Sequence, residues 1–292
     1  MYDIIPVTGH IGGECFLAVS PESAVLLDTG FDFCAERTVE NIRSALGGRP
    51  LDCILATHSH YDHVSGAATI RHAFPGCRIV GSRHAQKVLA KENAREQMRL
   101  LNAGYARDAG FSITSDRIDD LAVDEALDDG DTLRLPGMTI RAVATPGHTR
   151  CAMSYYFEEE GLLACSETIG IVPAYPQVVP CMIVGYRSTI DSIGRSRALR
   201  PRHVFVSHYG LIPDGEADVF FDNAHRAVEG AVSLLVELHE RGSGEEEIVE
   251  AFREAYHAPA ADLQPERAFV LNTEALIPRI LGELGKLPQK TA

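Results

Sequence analysis

The sequence predicts a layered α/β fold, and two features of the chain support this prediction. The first is an alternation of segments: an apolar strand over 51–56, a helix over 65–74, a strand over 78–80, and a second helix from Ser82 to about Leu89. Strands that alternate with helices in this way are typical of sheets covered by helices. The second is size, since 292 residues of 45% hydrophobic composition can form one large domain, or one domain with a smaller appendage.

Short strands and a helix precede this alternation. Residues 15–20 and 24–27 are predicted to form a hairpin, because both segments are apolar and a Pro-Glu-Ser turn separates them. Asp28-Thr29-Gly30 ends the second strand. A helix is predicted over 33–46, where apolar residues recur every three or four positions and Gly47 lies beyond the last of them.

The middle of the chain contains a polar segment and then further strands. Residues 90–130 are predicted to be helical as far as about Ala103 and loop-rich afterwards. We interpret them as an insertion near the mouth of a site, because loops tend to carry specificity. Strands are predicted over residues 132–135, 139–144, 152–157, 162–165 and 203–206, and a helix over 188–199.

The last part of the sequence is predicted to be helical. We divide the chain into a core domain over 1–212 and a C-terminal helical extension over 213–292, in which apolar residues recur at helical spacing. A final helix should start at about Pro265, and Pro278 should kink or interrupt it. The apolar stripe is compatible with a homodimer face, although packing within one chain explains it equally.

Composition argues against several classes of partner. The net charge is −14 and no basic stripe is present, which argues against binding to nucleic acid. No run of eighteen apolar residues suggests a membrane span, and the first residues lack the basic and apolar regions of a secretory leader. The seven cysteines are scattered and form no C-x-x-C pair, so we expect free thiols and a cytoplasmic location.

Histidines and an aspartate follow the apolar strand over 51–56 directly. In an extended segment, residues two apart point to the same side, so His58 and His60 can bind one metal ion together. If a helix starts near Asp62, the chain turns there, and Asp62 and His63 can face a second ion. Nitrogen and carboxylate ligands suit zinc, iron or manganese.

Two further histidines follow other predicted strands. His148 comes after the strand that ends at residue 144, within Thr145-Pro146-Gly147-His148-Thr149. His208 comes directly after the buried strand over 203–206. Either residue alone would be interpreted as a loop histidine. Together with the cluster they are expected at the same edge of the fold, and we interpret them as additional ligands.

The chain resembles the metallo-beta-lactamase superfamily of hydrolases. The resemblance lies in Asp28-Thr29-Gly30, the H-x-H-x-D-H run at 58–63, Pro146-Gly147-His148-Thr149, the acidic residue after the 162–165 strand, and Ser207-His208. These motifs appear in the family's order over about residues 3–212. The resemblance implies an αββα sandwich with a two-metal site at one edge of its two sheets.

The resemblance also implies a role for each matching residue. A first metal would be bound by His58, His60 and His148, and a second by Asp62, His63 and His208. Asp28 would orient the ligand loop by hydrogen bonds. The bridging position is occupied here by Glu167, where the family usually has Asp. Because Glu is one methylene longer, it could bridge two ions, bind one of them, or mark a site with a single ion.

The expected activity is hydrolysis by a metal-bound hydroxide, with two divalent ions, zinc by preference. Asp62 would orient the hydroxide and handle its proton. The substrate is expected to be a small ester, thioester or lactone, as in the glyoxalase II-like and lactonase-like branches. The 90–130 segment and the apolar residues between 169 and 186 should wall its site, and Tyr175 and Tyr209 are candidate contacts to an oxyanion.

Other functions are compatible with the same residues. A small phosphodiester is the second choice of substrate. An iron-dependent redox protein is another alternative, since the ligand set also resembles that of persulfide dioxygenases and of the metal domain of flavodiiron proteins. A third is a non-enzymatic sensor whose pocket is closed by the helical tail.

Overall fold

Two sheets of six strands each form the centre of the protein, whose computed structural model describes residues 2–113 and 117–286. The strands of the first sheet, in order, are β1 (Asp3–Pro6), β2 (Phe16–Val19), β3 (Ala24–Leu27), β4 (Cys53–Leu55), β5 (Arg78–Ser82) and β6 (Glu125–Leu127). Those of the second sheet are β7 (Thr132–Leu135), β8 (Met138–Ala144), β9 (Met153–Phe157), β10 (Leu162–Cys165), β11 (His203–Val206) and β12 (Gly210–Leu211). β1 to β3 pair antiparallel and β3 to β6 parallel, while the second sheet is antiparallel except between β10 and β11.

Alternating side chains place each sheet between two apolar layers. In β3, Val25 and Leu27 face the second sheet, whereas Leu26 faces the helices on the first. In β10, Ala164 faces the first sheet and Leu163 faces the opposite helices. Because side chains alternate along a strand, an all-apolar strand is buried on both faces. The predicted αββα sandwich is confirmed.

Helices cover the outer face of each sheet. On the first sheet they are α1 (Ala35–Leu46), α2 (Tyr61–Val64), α3 (Ala67–Ala73), α4 (Arg83–Leu89) and α5 (Glu92–Asp108). On the second they are α6 (Tyr186–Ala198), α7 (Ala217–Glu240), α8 (Glu245–Phe252) and α9 (Glu266–Glu283). Ser82 caps α4 by accepting a hydrogen bond from the backbone N–H of Ala85, as Ser does at helix starts.

Two details differ from the sequence-based expectations. Within the 90–130 segment, β6 joins the first sheet beside β5, although its Glu-Ala-Leu sequence has no apolar run to predict a strand. Helix α9 continues across Pro278, so the interruption expected there as an alternative to a kink does not occur. Because proline has no backbone N–H, the carbonyl of Glu274 has no hydrogen-bond donor within the helix. Both residues are exposed, so water can donate to that carbonyl instead.

The C-terminal helices pack on the second sheet in one hydrophobic cluster with α6. Phe220 of α7 and Ile280 of α9 are fully buried there, beside Val204 of β11. Residues 114–116 of the predicted insertion and 287–292 of the predicted extension lie outside the described residues. Across the described ranges, no helix combines the length and apolarity that a bilayer crossing requires.

Candidate metal centre

The histidine-rich loops meet at one edge of the sandwich. The chain leaves β4, β8, β10 and β11 at this edge, because these strands run in the same direction within their sheets. The loop after β4 carries the H-x-H-x-D-H run at 58–63. The loops after β8, β10 and β11 carry His148, Glu167 and His208, in that order. The topology therefore brings together residues that lie up to 150 positions apart, from His58 to His208.

The side chains form two groups that could each hold a metal ion. One consists of His58, His60, His148 and Glu167, and the other of Asp62, His63 and His208. Within each group the potential ligand atoms lie within 4.8 Å of one another. These are the two sets that the sequence analysis proposed, with Glu167 placed beside the first.

Glu167 faces both groups with different oxygens. Its Oε2 lies 2.9 Å from His148 Nε2 and 3.6 Å from His58 Nε2. Its Oε1 lies 2.8 Å from His208 Nε2 and 3.4 Å from His63 Nε2. The carboxylate is 5% exposed, so it is held between the groups and away from water. Glu167 therefore contacts both groups of potential ligands at once.

The donor atoms fit divalent cations. The buried Nε2 of His58 has no hydrogen-bond partner among the described residues, which is costly unless a ligand satisfies it. His60 Nδ1 faces His148 Nε2 at 2.9 Å, and His63 Nε2 faces His208 Nε2 at 3.2 Å. Imidazole nitrogens turned toward each other at this distance suit shared ligation. Nitrogen and carboxylate ligands without thiolate are compatible with zinc, iron and manganese.

Asp28 holds the loop over 57–63 in place by hydrogen bonds to Thr57 and His63. Its Oδ1 accepts a hydrogen bond from the backbone N–H of Thr57, and its Oδ2 accepts one from the Thr57 hydroxyl. The same Oδ2 lies 2.9 Å from His63 Nδ1, which leaves Nε2 of that ring turned toward the site. Such contacts fix the tautomer and orientation of metal-binding histidines.

Glu14 has the corresponding position beside His208 and was not predicted from the sequence. Its Oε2 lies 2.5 Å from His208 Nδ1, and its Oε1 accepts a hydrogen bond from the backbone N–H of Gly12 at 2.9 Å.

His208 and Asp28 both have left-handed backbone, with φ of 66° and 56°. Such conformations are uncommon for residues other than glycine and cluster at functional sites.

Burial and charge divide the histidines into two classes. Burial, followed by the charge of His148, lowers the pKa of His60 to about 3, and burial beside other histidines lowers the pKa of His58 well below its usual range. At His208 burial opposes protonation, but hydrogen bonds to Glu14 and Glu167 raise its pKa to about 10. His58 and His60 therefore have free lone pairs at neutral pH, as metal ligands require.

A pocket of about 140 Å³ opens beside these groups. Gln97 and Leu101 of α5 line one side, Ile171 lines another, and the segment Leu263–Pro265 with the start of α9 covers the site. The 90–130 segment and the 169–186 segment thus contribute walls, as expected. The contribution from the C-terminal helices was not predicted, because no local pattern shows where a distant helix will pack.

The two tyrosines predicted to contact an oxyanion lie against the apolar cluster of the C-terminal helices. Neither Tyr175 nor Tyr209 is among the described residues that line the pocket. The hydroxyl of Tyr175 donates to Glu216 Oε2 at 3.0 Å, and both rings pack against the apolar cluster of the C-terminal helices. The aromatic residue that does line the pocket is Tyr61, between the histidines themselves.

Replacement of Glu14 by Ala should weaken metal retention about 10- to 100-fold, because His208 loses the carboxylate that orients its ring. Glu14→Gln should lose less, since the amide oxygen can still accept a hydrogen bond from Nδ1. Zinc dissociation measured against a chelating dye would test this. Glu36→Ala, at an exposed position of α1, is the control. Equal retention in all four proteins would show that Glu14 does not position His208.

Comparisons with known proteins agree with this geometry. The sequence profile of the metallo-beta-lactamase superfamily matches residues 9–238. A probable metallo-hydrolase of Burkholderia pseudomallei (strain 1710b) is 38% identical over 116 residues, 40% of this chain and 34% of that protein. A hydroxyacylglutathione hydrolase of Acidiphilium cryptum (strain JF-5) is 33% identical over 135 residues, 46% of this chain and 41% of that protein. The chain spans between a third and a half of the length of these relatives.

A solved structure gives the same picture of the fold. A metallo-beta-lactamase family protein from Thermus thermophilus superposes with a TM-score of 0.66, covering 97% of this chain and 93% of that one. Its sequence identity is 19%, so the likeness concerns the fold alone.

Proposed function

The chain belongs to the metallo-beta-lactamase superfamily and is a metal-dependent hydrolase, and from this premise we propose that it cleaves a small ester, thioester or lactone with two divalent ions, zinc by preference. The observation that carries the two-ion proposal is the position of Glu167, whose two oxygens face the two groups of ligand atoms separately. A carboxylate that bound a single ion would direct its oxygens at one group of ligand atoms, whereas the oxygens of Glu167 face two.

The residues of the pocket have distinct tasks in this reaction. Bound divalent ions supply Lewis acidity, which brings the pKa of water from 15.7 toward about 7. Asp62 lines the pocket, and burial raises its pKa. We assign it the orientation of the attacking water and acceptance of its proton. The water oxygen bonds to the acyl carbon, the bond to the oxygen or sulfur leaving group breaks, and the proton passes to that leaving group.

An acyl substrate is supported by the walls of the pocket. Leu101, Ile171 and Leu263 are apolar, and no arginine or lysine is among the described residues that line the pocket. A phosphodiester would bring a negative charge that only the ions could balance. Relatives named hydroxyacylglutathione hydrolase support the same class by their name.

The test combines metal analysis with a substrate panel. Protein purified without added metal should contain about two ions per chain, and it should hydrolyse members of a panel of esters, thioesters and lactones in preference to bis(4-nitrophenyl) phosphate. Turnover of the phosphodiester alone would replace the acyl proposal. Iron together with oxygen-dependent turnover would favour the redox alternative. A purified active protein free of transition metal would contradict the site itself.

A further inference from the structure

A second cavity adjoins the metal pocket on the side of the C-terminal helices. Ile171, Gln264 and Asn272 line both spaces, so the two cavities are neighbours that share these side chains as a common wall. The second cavity, called here the apolar chamber, lies between the segment Val179–Ile183 and helices α7, α8 and α9. Its volume is about 30 Å³, which is room for roughly two water molecules.

The chamber differs in chemistry from the metal pocket. None of the described residues that line it carries a charge, and its walls include Met182, Phe252, Phe269 and Leu276, all less than 9% exposed. Its polar side chains include the carboxamides of Gln264 and Asn272, which lie at the junction with the metal pocket. A small space without charges is unfavourable for a polar group and favourable for an alkyl group.

The entrance to the metal pocket is also apolar. Leu271 of α9 lines the pocket and is 51% exposed, and Leu101 faces it from α5. Leu101 and Leu271 thus give the entrance apolar side chains on two sides.

We propose that the acyl part of the substrate is an unbranched alkyl chain of a few carbons, whose end passes Ile171 and fills the apolar chamber. This rests on the proposed acyl hydrolysis and adds the identity of the group on the acyl side. The carbonyl of an open-chain ester or thioester lies beside Glu167 and Asp62, and the leaving group points to the entrance. The small volume limits the chain, so bulky or branched acyl groups are excluded.

The test uses 4-nitrophenyl acetate, butanoate, hexanoate and octanoate with the metal-loaded protein. We expect kcat/KM to increase about fourfold for each methylene buried, as far as about six carbons, and then to stop increasing. Ala231 is buried, faces the chamber from α7, and offers a way to fill it. Ala231→Leu should leave acetate turnover within about twofold and lower hexanoate turnover at least about tenfold.

The matched control is Ala227→Leu, which adds the same atoms one turn earlier on α7, outside the described lining of the chamber. It should keep the wild-type dependence on chain length. Leu276→Ala enlarges the chamber and should improve octanoate, which keeps the proposal testable if Ala231→Leu fails to fold. Thermal melts identify a folding failure.

Binding of the product hexanoate, measured by calorimetry with the metal-loaded protein, separates this inference from the proposed function. We expect hexanoate to bind more tightly than acetate, and Ala231→Leu to abolish this difference. That result would support the chamber even if no ester is hydrolysed. Ester hydrolysis that is indifferent to chain length and to Ala231→Leu would overturn the chamber and leave the proposed function in place.

Discussion

Substitution of His60 by Ala should lower kcat/KM by about a thousandfold or more while the protein still folds. His60 Nδ1 lies 2.9 Å from His148 Nε2, in the group that also contains His58 and one oxygen of Glu167. Without this side chain an ion at that group would have too few ligands, and its positive charge would no longer be held where it stabilises the transition state. Loss of a single oxyanion donor already lowers kcat by about 10²–10³. The measurement is kcat/KM on the best substrate of the panel, together with metal content.

Folding should survive because His60 is half-buried and lies at the edge of the sandwich, outside its apolar clusters. A change in unfolding free energy within about 1 kcal/mol of the metal-free wild type is expected. His84→Ala, an exposed histidine of α4, is the matched control and should be fully active. Near-normal activity of the His60 variant would refute the assigned site.

The ligand loops could be placed from the sequence because each follows an apolar strand. His58, His148 and His208 follow such strands, and the strands of the second sheet that carry these loops end at one edge because they run in the same direction. The layered α/β pattern predicts that such loops meet at one edge. The division of the ligands into two groups was anticipated from the resemblance of the motifs to the superfamily, not from the strand pattern.

Contacts between distant segments could not be anticipated in the same way. Glu14 and His208 are 194 positions apart, and Glu14 stands in a loop with no motif around it. The positions of Tyr175 and Tyr209 could not be anticipated for a related reason, since both rings pack against the apolar cluster of the distant C-terminal helices. The segment Leu263–Pro265 and the start of α9, which cover the pocket, depend on the same packing.

Gly30 should be among the most sensitive backbone positions of the protein. Its φ of 69° is left-handed, and a Cβ at this residue would lie 2.5 Å from the backbone oxygen of Gly13. The left-handed conformation costs a non-glycine residue about 1–2 kcal/mol, and an overpacked backbone contact adds about 1–3 kcal/mol. Gly30→Ala should therefore lower the free energy of unfolding by roughly 2–5 kcal/mol, measured by urea denaturation.

Gly47→Ala separates the two contributions, because Gly47 has a similar φ of 57° and a Cβ added there would meet nothing within 4 Å. It should cost only the left-handed conformation, about 1–2 kcal/mol. The contact with Gly13 also predicts a second effect, since Glu14 follows Gly13 and must move with it. Gly30→Ala should therefore release metal more readily than Gly47→Ala does. Equal stability and equal metal retention in the two variants would show that the close approach of Gly30 to Gly13 supports neither the fold nor the site.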